Sequence, residues 1–471
     1  MKEEIVFQHL FQILQKYFGS RQDGAFIDYH GPKELSDLLQ LDTKSAPGDW
    51  QEMFQWIDKY LTYSVKTAHP FFVNRMWSGA NLPSIAGELV TAFSNSSSCT
   101  YESAPVSTLM EKYMIQQMLD LVGFSSGEGQ MTTGSSNANM IGMMAARNAA
   151  NDTVKQGGLF GQEKLFAFVS EDAHYSMDKA ANALGIGLDQ LIKIPLNRFG
   201  EMDVSQLEKG IAGVVAAGGN PFFVGLTAGT TIRGAYDSIV DCLALREKYN
   251  FWLHVDGAWG GAVVLSQKLR QKYLCGIEQV DSFTFDFHKM LGAALMCNVF
   301  LINKRTHTLG NVLAGGNTSY IFHDESGNDV EDLGAVSLQC GRRIDSLKWF
   351  LDWKFYGQSG LAARVERYLD LCRYAEQLVT KISELELVVP RTSFNVCFCY
   401  KTEKDKSNAL NRALRQHLYK KGISLVGIAS IKERVVLRLL VAHPDLTKKD
   451  IETYFSNLVQ AGKLLSKEMK R

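Results

Sequence analysis

The chain of 471 residues has the composition of a soluble globular protein with a large core, because 46% of its residues are hydrophobic and 21% are charged. Fifty lysines and arginines balance fifty aspartates and glutamates, and this neutrality argues against a dedicated nucleic-acid-binding protein. The eight cysteines are scattered without a CxxC pair, so neither a zinc site nor a redox dithiol is predicted, and no metal is expected. These features favour a protein of the reducing cytoplasm.

Residues 1–100 are predicted to be mainly helical. The first helix is amphipathic, and its mixed charge favours docking on protein, such as a second subunit, over lying on a membrane. No secretory signal and no membrane-spanning window is predicted. A loop-like segment near residue 69 carries Asn74, Arg75 and Trp77. An arginine between aromatic residues either makes a structural cation–π contact or binds an acidic ligand.

From residue 104 the pattern alternates between helices and short apolar runs. Helices are predicted near 104–122, 136–156, 175–184, 203–217 and 238–249, and strands at 164–170, 190–195, 221–227, 251–256, at the run leading to Lys289, and at 296–303. This alternation is typical of an α/β protein with a mostly parallel sheet covered on both faces, which binds ligands at the C-terminal ends of its strands.

The character of the chain changes again after about residue 345. A long helical stretch (346–385) is followed by RTSFNVCFCY, a helix near 408–420, and VVLRLLVAHP, which together predict a smaller C-terminal α/β domain. We therefore expect three parts: a mainly helical N-terminal segment that packs in a dimer (1–100), a large ligand-binding domain (101–345) and a small domain (346–471).

The segment DSFTFDFHKMLG (281–292) alternates like a β-strand and then delivers His288 and Lys289. Lys289 follows a buried strand with no acidic residue directly beside it in the sequence. Burial disfavours the ammonium, so such a lysine tends to become a nucleophilic amine, able to form a Schiff base with the aldehyde of pyridoxal phosphate (PLP). The alternative is a strand-end lysine whose amine reaches solvent.

A second candidate is the entry to the helix in GQMTTGSSNANM (129–140), where Ser135 and Ser136 follow Gly134. The free N–H groups of a first helical turn and the serine hydroxyls suit an anion such as a phosphate. The alternative is an ordinary serine N-cap. The spacing matches neither GxGxxG nor GxxxxGK[ST], so dinucleotide and P-loop sites are not supported.

Three further polar residues follow predicted strands: His174, Thr231 and Asp256. A lone histidine is more often structural, and a strand-terminal acid also coordinates magnesium in P-loop enzymes, but this chain has no P-loop. PLP accounts for all these features together. The helix entry binds the phosphate of PLP, and Lys289 binds its aldehyde. An imidazole stacks on the ring, and an aspartate keeps the ring nitrogen positive.

Seven segments carry a family resemblance: HPFFVNRMWSG, TYESAPVSTLMEKYM, SEDAHYSMDKAANALGIG, PFFVGLTAGTTIRGAYD, HVDGAWGG, DSFTFDFHKMLG and LQCGRRIDSLKWFLDWK. The chain resembles the group II PLP-dependent decarboxylases, especially the glutamate and cysteine-sulfinate decarboxylase branch, from about residue 69 to 358 and again at LRLLVAHP. This resemblance implies the aminotransferase-like fold type I of PLP enzymes and a homodimer with active sites at the interface.

The resemblance also implies roles for individual residues. Lys289 is expected to be the Schiff-base lysine, Asp256 the partner of the pyridine nitrogen, and His174 the group that stacks on the ring. Ser135, Ser136 and Thr231 are expected near the cofactor, and His288 beside its phosphate. Arg438 is expected to hold the substrate α-carboxylate. Tyr320, in a loop with Gly315 and Gly316, is expected to return a proton to Cα.

Three departures from the family pattern affect the interpretation. Asp286-Phe287 stands where the family usually has Asn-Pro, and a carboxylate beside a phosphate weakens cofactor binding unless it is paired or points away. Gly257 in HVDGAW replaces an alanine, which is expected to be mild. Arg75 stands where the acidic-substrate branch commonly has glutamine, and with Asn74 and Trp77 it is assigned to substrate binding.

The expected reaction is α-decarboxylation of a short acidic L-amino acid (cysteine sulfinate, aspartate or glutamate) to the amine and carbon dioxide. One alternative is decarboxylation of 2,4-diaminobutyrate or of an aromatic amino acid. Another is a different PLP lyase on the same fold, although Tyr320 and Arg438 in their matching positions favour decarboxylation. Two alternatives are not enzymes. One is a catalytically inactive PLP protein, which only Asp286 suggests, and the other is a scaffold without cofactor.

Overall fold

The computed structural model describes residues 2–41, 43, 46–303, 308–316, 318–322 and 332–469. Contacts divide the chain into a larger unit, Ala80–Asp370 with Arg391–Phe394, and a smaller unit, Met1–Gly79, Leu371–Pro390 and Asn395–Arg471. The N-terminal residues up to Gly79 thus group with the C-terminal residues, and the boundary after the large domain falls near residue 370 rather than 345. Strand pairing between residues 72–73 and 425–426 is one reason for this grouping.

The helices and strands of the described residues have the following bounds. The α-helices are α1 (Glu3–Ser20), α2 (Pro32–Leu39), α3 (Trp50–Tyr63), α4 (Leu82–Ser94), α5 (Pro105–Val122), α6 (Ser135–Ala150), α7 (Val154–Gly157), α8 (Ser176–Ala183), α9 (Val204–Ala216), α10 (Ile239–Tyr249), α11 (Gln267–Tyr273), α12 (Thr308–Leu313), α13 (Ser346–Lys381), α14 (Ser407–Lys420) and α15 (Lys448–Glu468). The strands are β1 (Phe72–Val73), β2 (Glu128–Thr132), β3 (Leu165–Ser170), β4 (Leu191–Ile194), β5 (Asn220–Thr227), β6 (Trp252–Asp256), β7 (Ser282–Asp286), β8 (Asn298–Ile302), β9 (Leu385–Leu387), β10 (Asn395–Tyr400), β11 (Leu425–Ile431) and β12 (Arg434–Leu440).

The larger unit is built on a sheet that, in the described chain, has seven strands in the order β2-β8-β7-β6-β5-β3-β4. The strands from β7 to β4 pair in parallel, and β8 pairs antiparallel with β7 and β2. The central strands are buried along almost their whole length, as expected for a parallel sheet covered on both faces. The expected mostly parallel α/β architecture is confirmed.

The aromatic residues of β7 show why this segment folds as a strand. Phe283 and Phe285 on β7 and Phe287 directly after it alternate with polar residues, as the period of a strand requires, and all three side chains are fully buried. The Phe287 ring stacks on Trp349 with its centroid 3.8 Å away. This packing fixes the strand end that delivers His288 and Lys289.

Two predicted helices differ from those in the structure. The helix expected over 136–156 ends at Ala150, because the Asn151 side chain accepts a hydrogen bond from the Thr153 N–H and forms a turn before the short α7. The long α13 contains a non-helical residue, Gly357, at φ +65°. The helix α15, which begins at a capping box formed by Thr447 and Asp450, was not predicted.

The smaller unit contains a second sheet, whose described strands follow the order β1-β11-β12-β10-β9. Only the β1–β11 pair is parallel; the remaining described pairs in this sheet are antiparallel. In neither unit does a described helix combine the length and hydrophobicity needed to span a lipid bilayer.

Candidate active site

The sheet of the larger unit brings several predicted residues to one edge. The strands β3, β5, β6 and β7 run in parallel, so the residues that follow or end them lie at the same edge of the sheet. These residues are His174, Thr231, Asp256 and Lys289. The strand β2 runs in the same direction as β7, because both pair antiparallel with β8, and it leads into the first turn of α6 at this edge.

Lys289 has an acidic partner, Asp286, although no acidic residue is adjacent to it in the sequence. Its Nζ is 2.8 Å from Asp286 Oδ2, and the two side chains are 19% and 2% exposed. The chain turns directly after β7, so residues three apart meet although they are not adjacent in sequence.

Asp286 is held on its other oxygen as well. Ser135 Oγ donates to Oδ1 at 3.0 Å, and Asn298 Nδ2 donates to the same atom at 2.7 Å. Burial alone would raise the pKa of Asp286, but the charges of Lys289 and His288 and the hydrogen bonds to this carboxylate lower it below the usual value. The carboxylate that departs from the family pattern is therefore ionised and paired.

The first turn of α6 supplies hydroxyl and N–H groups at the same place. Gly134 precedes the helix at φ +115°, a backbone conformation that residues with a Cβ rarely adopt, so this position favours glycine. Ser135 is buried and Ser136 is exposed. Thr231 lies in the turn that follows β5.

Asp256, the last residue of β6, is held by a buried network. Asn139 Nδ2 donates to Asp256 Oδ2 at 2.7 Å, and the Ala258 N–H donates to Oδ1 at 3.0 Å. On the other side of the amide, Asn139 Oδ1 is 2.9 Å from His254 Nε2, and His254 Nδ1 is 2.8 Å from Ser282 Oγ. Complete burial lowers the pKa of His254 to about 4, so the imidazole is neutral and its Nε2–H donates to Asn139.

His174 joins the same network through Ser176. Asn139 Nδ2 also donates to Ser176 Oγ at 2.9 Å, and this hydroxyl lies 2.9 Å from His174 Nδ1, which accepts the Ser176 N–H at 3.3 Å. Burial lowers the pKa of His174, and the charges of Asp256 and Lys289 also act on it. The imidazole is thus oriented by its Nδ1 and lies within the electrostatic reach of both residues.

The four residues assigned to the substrate lie in the smaller unit. Arg438 is on β12, and its Nη2 donates to the Asn74 carbonyl oxygen at 3.3 Å. Burial lowers the pKa of Arg438, and the positive charge of Arg75 lowers it further. Arg75 is exposed, whereas Trp77 is half-buried against Phe72 with ring centroids 5.5 Å apart.

A third arginine belongs to this group and was not predicted. Burial lowers the pKa of Arg415, on α14, and the charge of Arg75 lowers it as well. Arg75 thus influences both Arg415 and Arg438, which places a cluster of positive charge in the smaller unit.

Tyr320, the predicted proton donor, lies in a short turn and is 79% exposed. The N–H groups of Ile321 and Phe322 both donate to the Thr318 carbonyl at 3.0 Å. The rest of this loop, residues 323–331, lies outside the described residues. Its predicted movement therefore stays a prediction.

The residues that sequence reasoning missed are those that support the predicted ones. Asn139, His254, Ser176 and Asn298 all contact candidate site residues. Two signals were available: His254 precedes Asp256 by two residues and so shares its face of β6, and Asn139 follows Ser135 by four residues on α6.

Comparisons with known proteins identify the family of this chain. Residues 32–401 match the pyridoxal-dependent decarboxylase conserved domain, and the chain belongs to this family. It is a PLP-dependent carboxy-lyase that decarboxylates an amino acid.

Individual relatives cover nearly the whole chain. Cysteine sulfinic acid decarboxylase of Mus musculus is 34% identical over 473 residues, which span 96% of both chains. Acidic amino acid decarboxylase GADL1 of Bos taurus is 33% identical over 93% of this chain and 86% of its own. The crystal structure of mouse CSAD superposes with a TM-score of 0.93 at 32% identity over 98% of both chains. The structure of Oryza sativa TDC with PLP and tryptamine has the same fold, with a TM-score of 0.90 at 22% identity over 99% of both chains.

The residues of the larger unit fit PLP. They comprise a lysine amine, a carboxylate held by an amide and an N–H group, a half-buried imidazole, and hydroxyls at a helix N-terminus. An amine, an acid and an anion-binding turn are the groups that an aldehyde, a pyridine nitrogen and a phosphate require.

Proposed function

We propose that this enzyme α-decarboxylates a short acidic L-amino acid (cysteine sulfinate, aspartate or glutamate) with Lys289 as the lysine that binds PLP. The observation that carries the decarboxylase site is the convergence of Lys289, Asp256 and His174 at one sheet edge. The hydrogen bonds from Asn139 and Ser176 that join the last two support this proposal.

Each residue of the larger unit has a proposed task. PLP, when bound, accepts the electron pair of a broken bond at Cα. The Asn139 amide orients the Asp256 carboxylate, whose task is to balance a positive ring nitrogen. His174, oriented through Nδ1, presents its imidazole face to the ring, and Ser135, Ser136, Thr231 and His288 hold the phosphate.

The acidic substrate class is supported by the arginines of the smaller unit. We propose that Arg438 binds the α-carboxylate and that Arg75 binds the side-chain acid, with Asn74 and Trp77 shaping the substrate site. Arg438 is half-buried, and a guanidinium binds a carboxylate through charge-assisted hydrogen bonds worth roughly 1.5–3 kcal/mol each. A cluster of like charges is stabilised by an anion, which favours a substrate that carries two acidic groups.

Tyr320 is proposed to deliver the proton that replaces carbon dioxide at Cα. Its hydroxyl group is a donor, and its side chain is exposed in a turn whose two N–H groups are satisfied by Thr318. We expect Tyr320→Phe to retain PLP binding and to lose turnover, because only the donor hydroxyl is removed.

We also propose that the protein is a homodimer of the cytoplasm. The helices α4 and α5 leave large apolar side chains about half exposed or more: Leu82, Val90, Phe93, Val106, Leu109 and Tyr113. Several large apolar side chains exposed on the same two helices indicate an interaction surface. All eight cysteines are free thiols, which suits a reducing compartment.

The dimer is tested by light scattering coupled to gel filtration. We expect Phe93→Glu and Val106→Glu to give monomers, because each places a charge in the proposed interface. Val215→Glu, which changes a 47% exposed valine on α9, serves as the matched control and should remain a dimer. A dimer that survives both interface changes would remove α4 and α5 from the interface.

The reaction is tested with an equimolar mixture of the protein amino acids, cysteine sulfinate and 2,4-diaminobutyrate. Each amine product is identified by mass, and Lys289→Ala serves as the inactive control. We expect one amine from an acidic substrate. A basic or aromatic amine would retain the decarboxylation and overturn the acidic substrate class.

Arg75 is tested in the same assay. Arg75→Ala should lose the preference for acidic substrates, whereas Arg412→Ala, which removes another exposed arginine of the smaller unit, should keep it. An Arg75→Ala enzyme that keeps the preference would exclude Arg75 as the side-chain ligand.

A further inference from the structure

Asp286 holds Lys289 in a way that the proposed reaction does not require. Its Oδ2 is 2.8 Å from Lys289 Nζ, and its side chain is 2% exposed. Its Oδ1 is fixed at 3.0 Å by Ser135 and at 2.7 Å by Asn298. Two hydrogen bonds on this oxygen therefore hold the carboxylate in the orientation that faces Lys289.

We infer that Asp286 is a counter-ion that keeps Lys289 protonated and so sets the pH at which this lysine captures an aldehyde. The inference rests on the proposed role of Lys289 as the residue that binds PLP. A buried carboxylate in contact with an ammonium favours its charged form, and only the neutral amine is a nucleophile. Asp286 thus acts on a reacting atom, Lys289 Nζ.

The step that Asp286 controls balances without any oxidant or reductant. The Lys289 ammonium gives one proton to solvent, and the amine nitrogen then forms a bond to the aldehyde carbon. The carbon–oxygen bond breaks, and the oxygen leaves as water. Asp286 opposes the first of these events, because loss of the proton leaves its buried charge without its cation.

The other charged groups near this pair do not replace Lys289. His288 Nε2 is 3.7 Å from Asp286 Oδ2, but burial lowers the pKa of His288, so its imidazole is mainly neutral near pH 7. His174 senses Asp256, Lys289 and Asp286, and burial lowers its pKa too. Lys348, whose charge reaches His288, is already paired with Asp345 at 2.7 Å and Glu88 at 3.0 Å.

The chain offers a variant that removes the charge and keeps the shape. In Asp286→Asn, the side-chain oxygen still accepts from Ser135 and Asn298, while an amide takes the place of the oxygen that faces Lys289. Removal of an adjacent opposite charge lowers the pH of half-maximal reaction by about 1–3 units. Asn298→Ala is the matched control, because it removes a hydrogen bond to the same carboxylate without changing its charge.

The experiment measures aldehyde capture by the apoprotein as a function of pH. Pyridoxal, which lacks the phosphate, and PLP are each reduced onto the protein with borohydride, and peptide mass locates the label on Lys289. Circular dichroism checks the fold of each variant, and Asp286→Ser replaces Asp286→Asn if the amide variant does not fold. We expect the midpoint to fall with both aldehydes in the uncharged variant and to stay within about half a unit in Asn298→Ala.

Two results would overturn the inference. Equal midpoints in the wild type and the uncharged variant would show that Asp286 does not control protonation of Lys289. A change seen with PLP alone would show that the carboxylate acts by repelling the phosphate.

The labelling also separates this inference from the proposed function, because it needs no turnover. A lowered midpoint in a protein that releases no carbon dioxide would support the inference and defeat the function. Carbon dioxide release with equal midpoints would do the reverse.

Discussion

Asn139 is the residue whose removal tests the buried network most sharply. Its amide donates to Asp256 at 2.7 Å and to Ser176 at 2.9 Å, and its oxygen accepts from His254 at 2.9 Å. A hydrogen bond to a charged group contributes about 1.5–3 kcal/mol, so Asn139→Ala should weaken PLP binding about 10- to 100-fold. The physical reason is that Asp256 loses the donor that directs it.

The assay titrates PLP into apoprotein and follows the absorbance and circular dichroism of the bound cofactor. Asn148→Ala is the matched control, because this asparagine lies on the same helix and contacts Arg147 rather than Asp256. Urea unfolding of both variants shows whether a weaker affinity for PLP comes from a general loss of folding stability. Equal PLP affinity in Asn139→Ala and Asn148→Ala would refute the reasoning that the network positions Asp256.

Three other predictions concern stability. Burial lowers the pKa of His254 from its ordinary value of 6.5 to about 4. The contribution of the neutral imidazole to the free energy of unfolding is therefore complete above pH 6.5 and declines by about 3 kcal/mol as the pH falls to 4. Urea unfolding should therefore show a steeper acid loss in the wild type than in His254→Gln, and equal slopes would contradict this. Gly257→Ala should lower the free energy of unfolding in urea by about 1–3 kcal/mol, because the added Cβ would lie 2.5 Å from Phe283 Cε2. An unchanged unfolding midpoint would show that the Phe283 ring moves aside. Glu111→Gln should lower the free energy of unfolding by about 3 kcal/mol in the same assay. The reason is that the buried Arg342, whose Nη2 is 2.5 Å from Glu111 Oε1, loses its counter-ion. An unchanged free energy of unfolding would mean that the Arg342 charge reaches solvent.

Much of the larger unit was predictable because local patterns report strand and helix periods. The strands that carry His174, Asp256 and Lys289 each appear as short apolar runs, and the parallel sheet then brings their ends to one edge. The entry to α6 was also visible, since Gly134 and Ser135 mark a helix start.

The supporting contacts were not predictable, because they join positions far apart in sequence. Asn139 and Asp256 are separated by 117 residues, and Asn298 and Ser135 by 163. The pairing of Asp286 with Lys289 was missed for a different reason: a turn after β7 brings together residues that are only three apart. The replacement of alanine by Gly257 was expected to be a mild change. In the structure, the missing Cβ leaves room for the Phe283 ring.

The most direct test of the proposed reaction supplies cysteine sulfinate, aspartate and glutamate labelled with carbon-13 at the α-carboxyl group to PLP-loaded enzyme. We expect labelled carbon dioxide and the matching unlabelled amine from at least one of these acids, and neither product from Lys289→Ala. If PLP-loaded wild-type enzyme released no labelled carbon dioxide from any of the three acids, the proposed reaction would be contradicted.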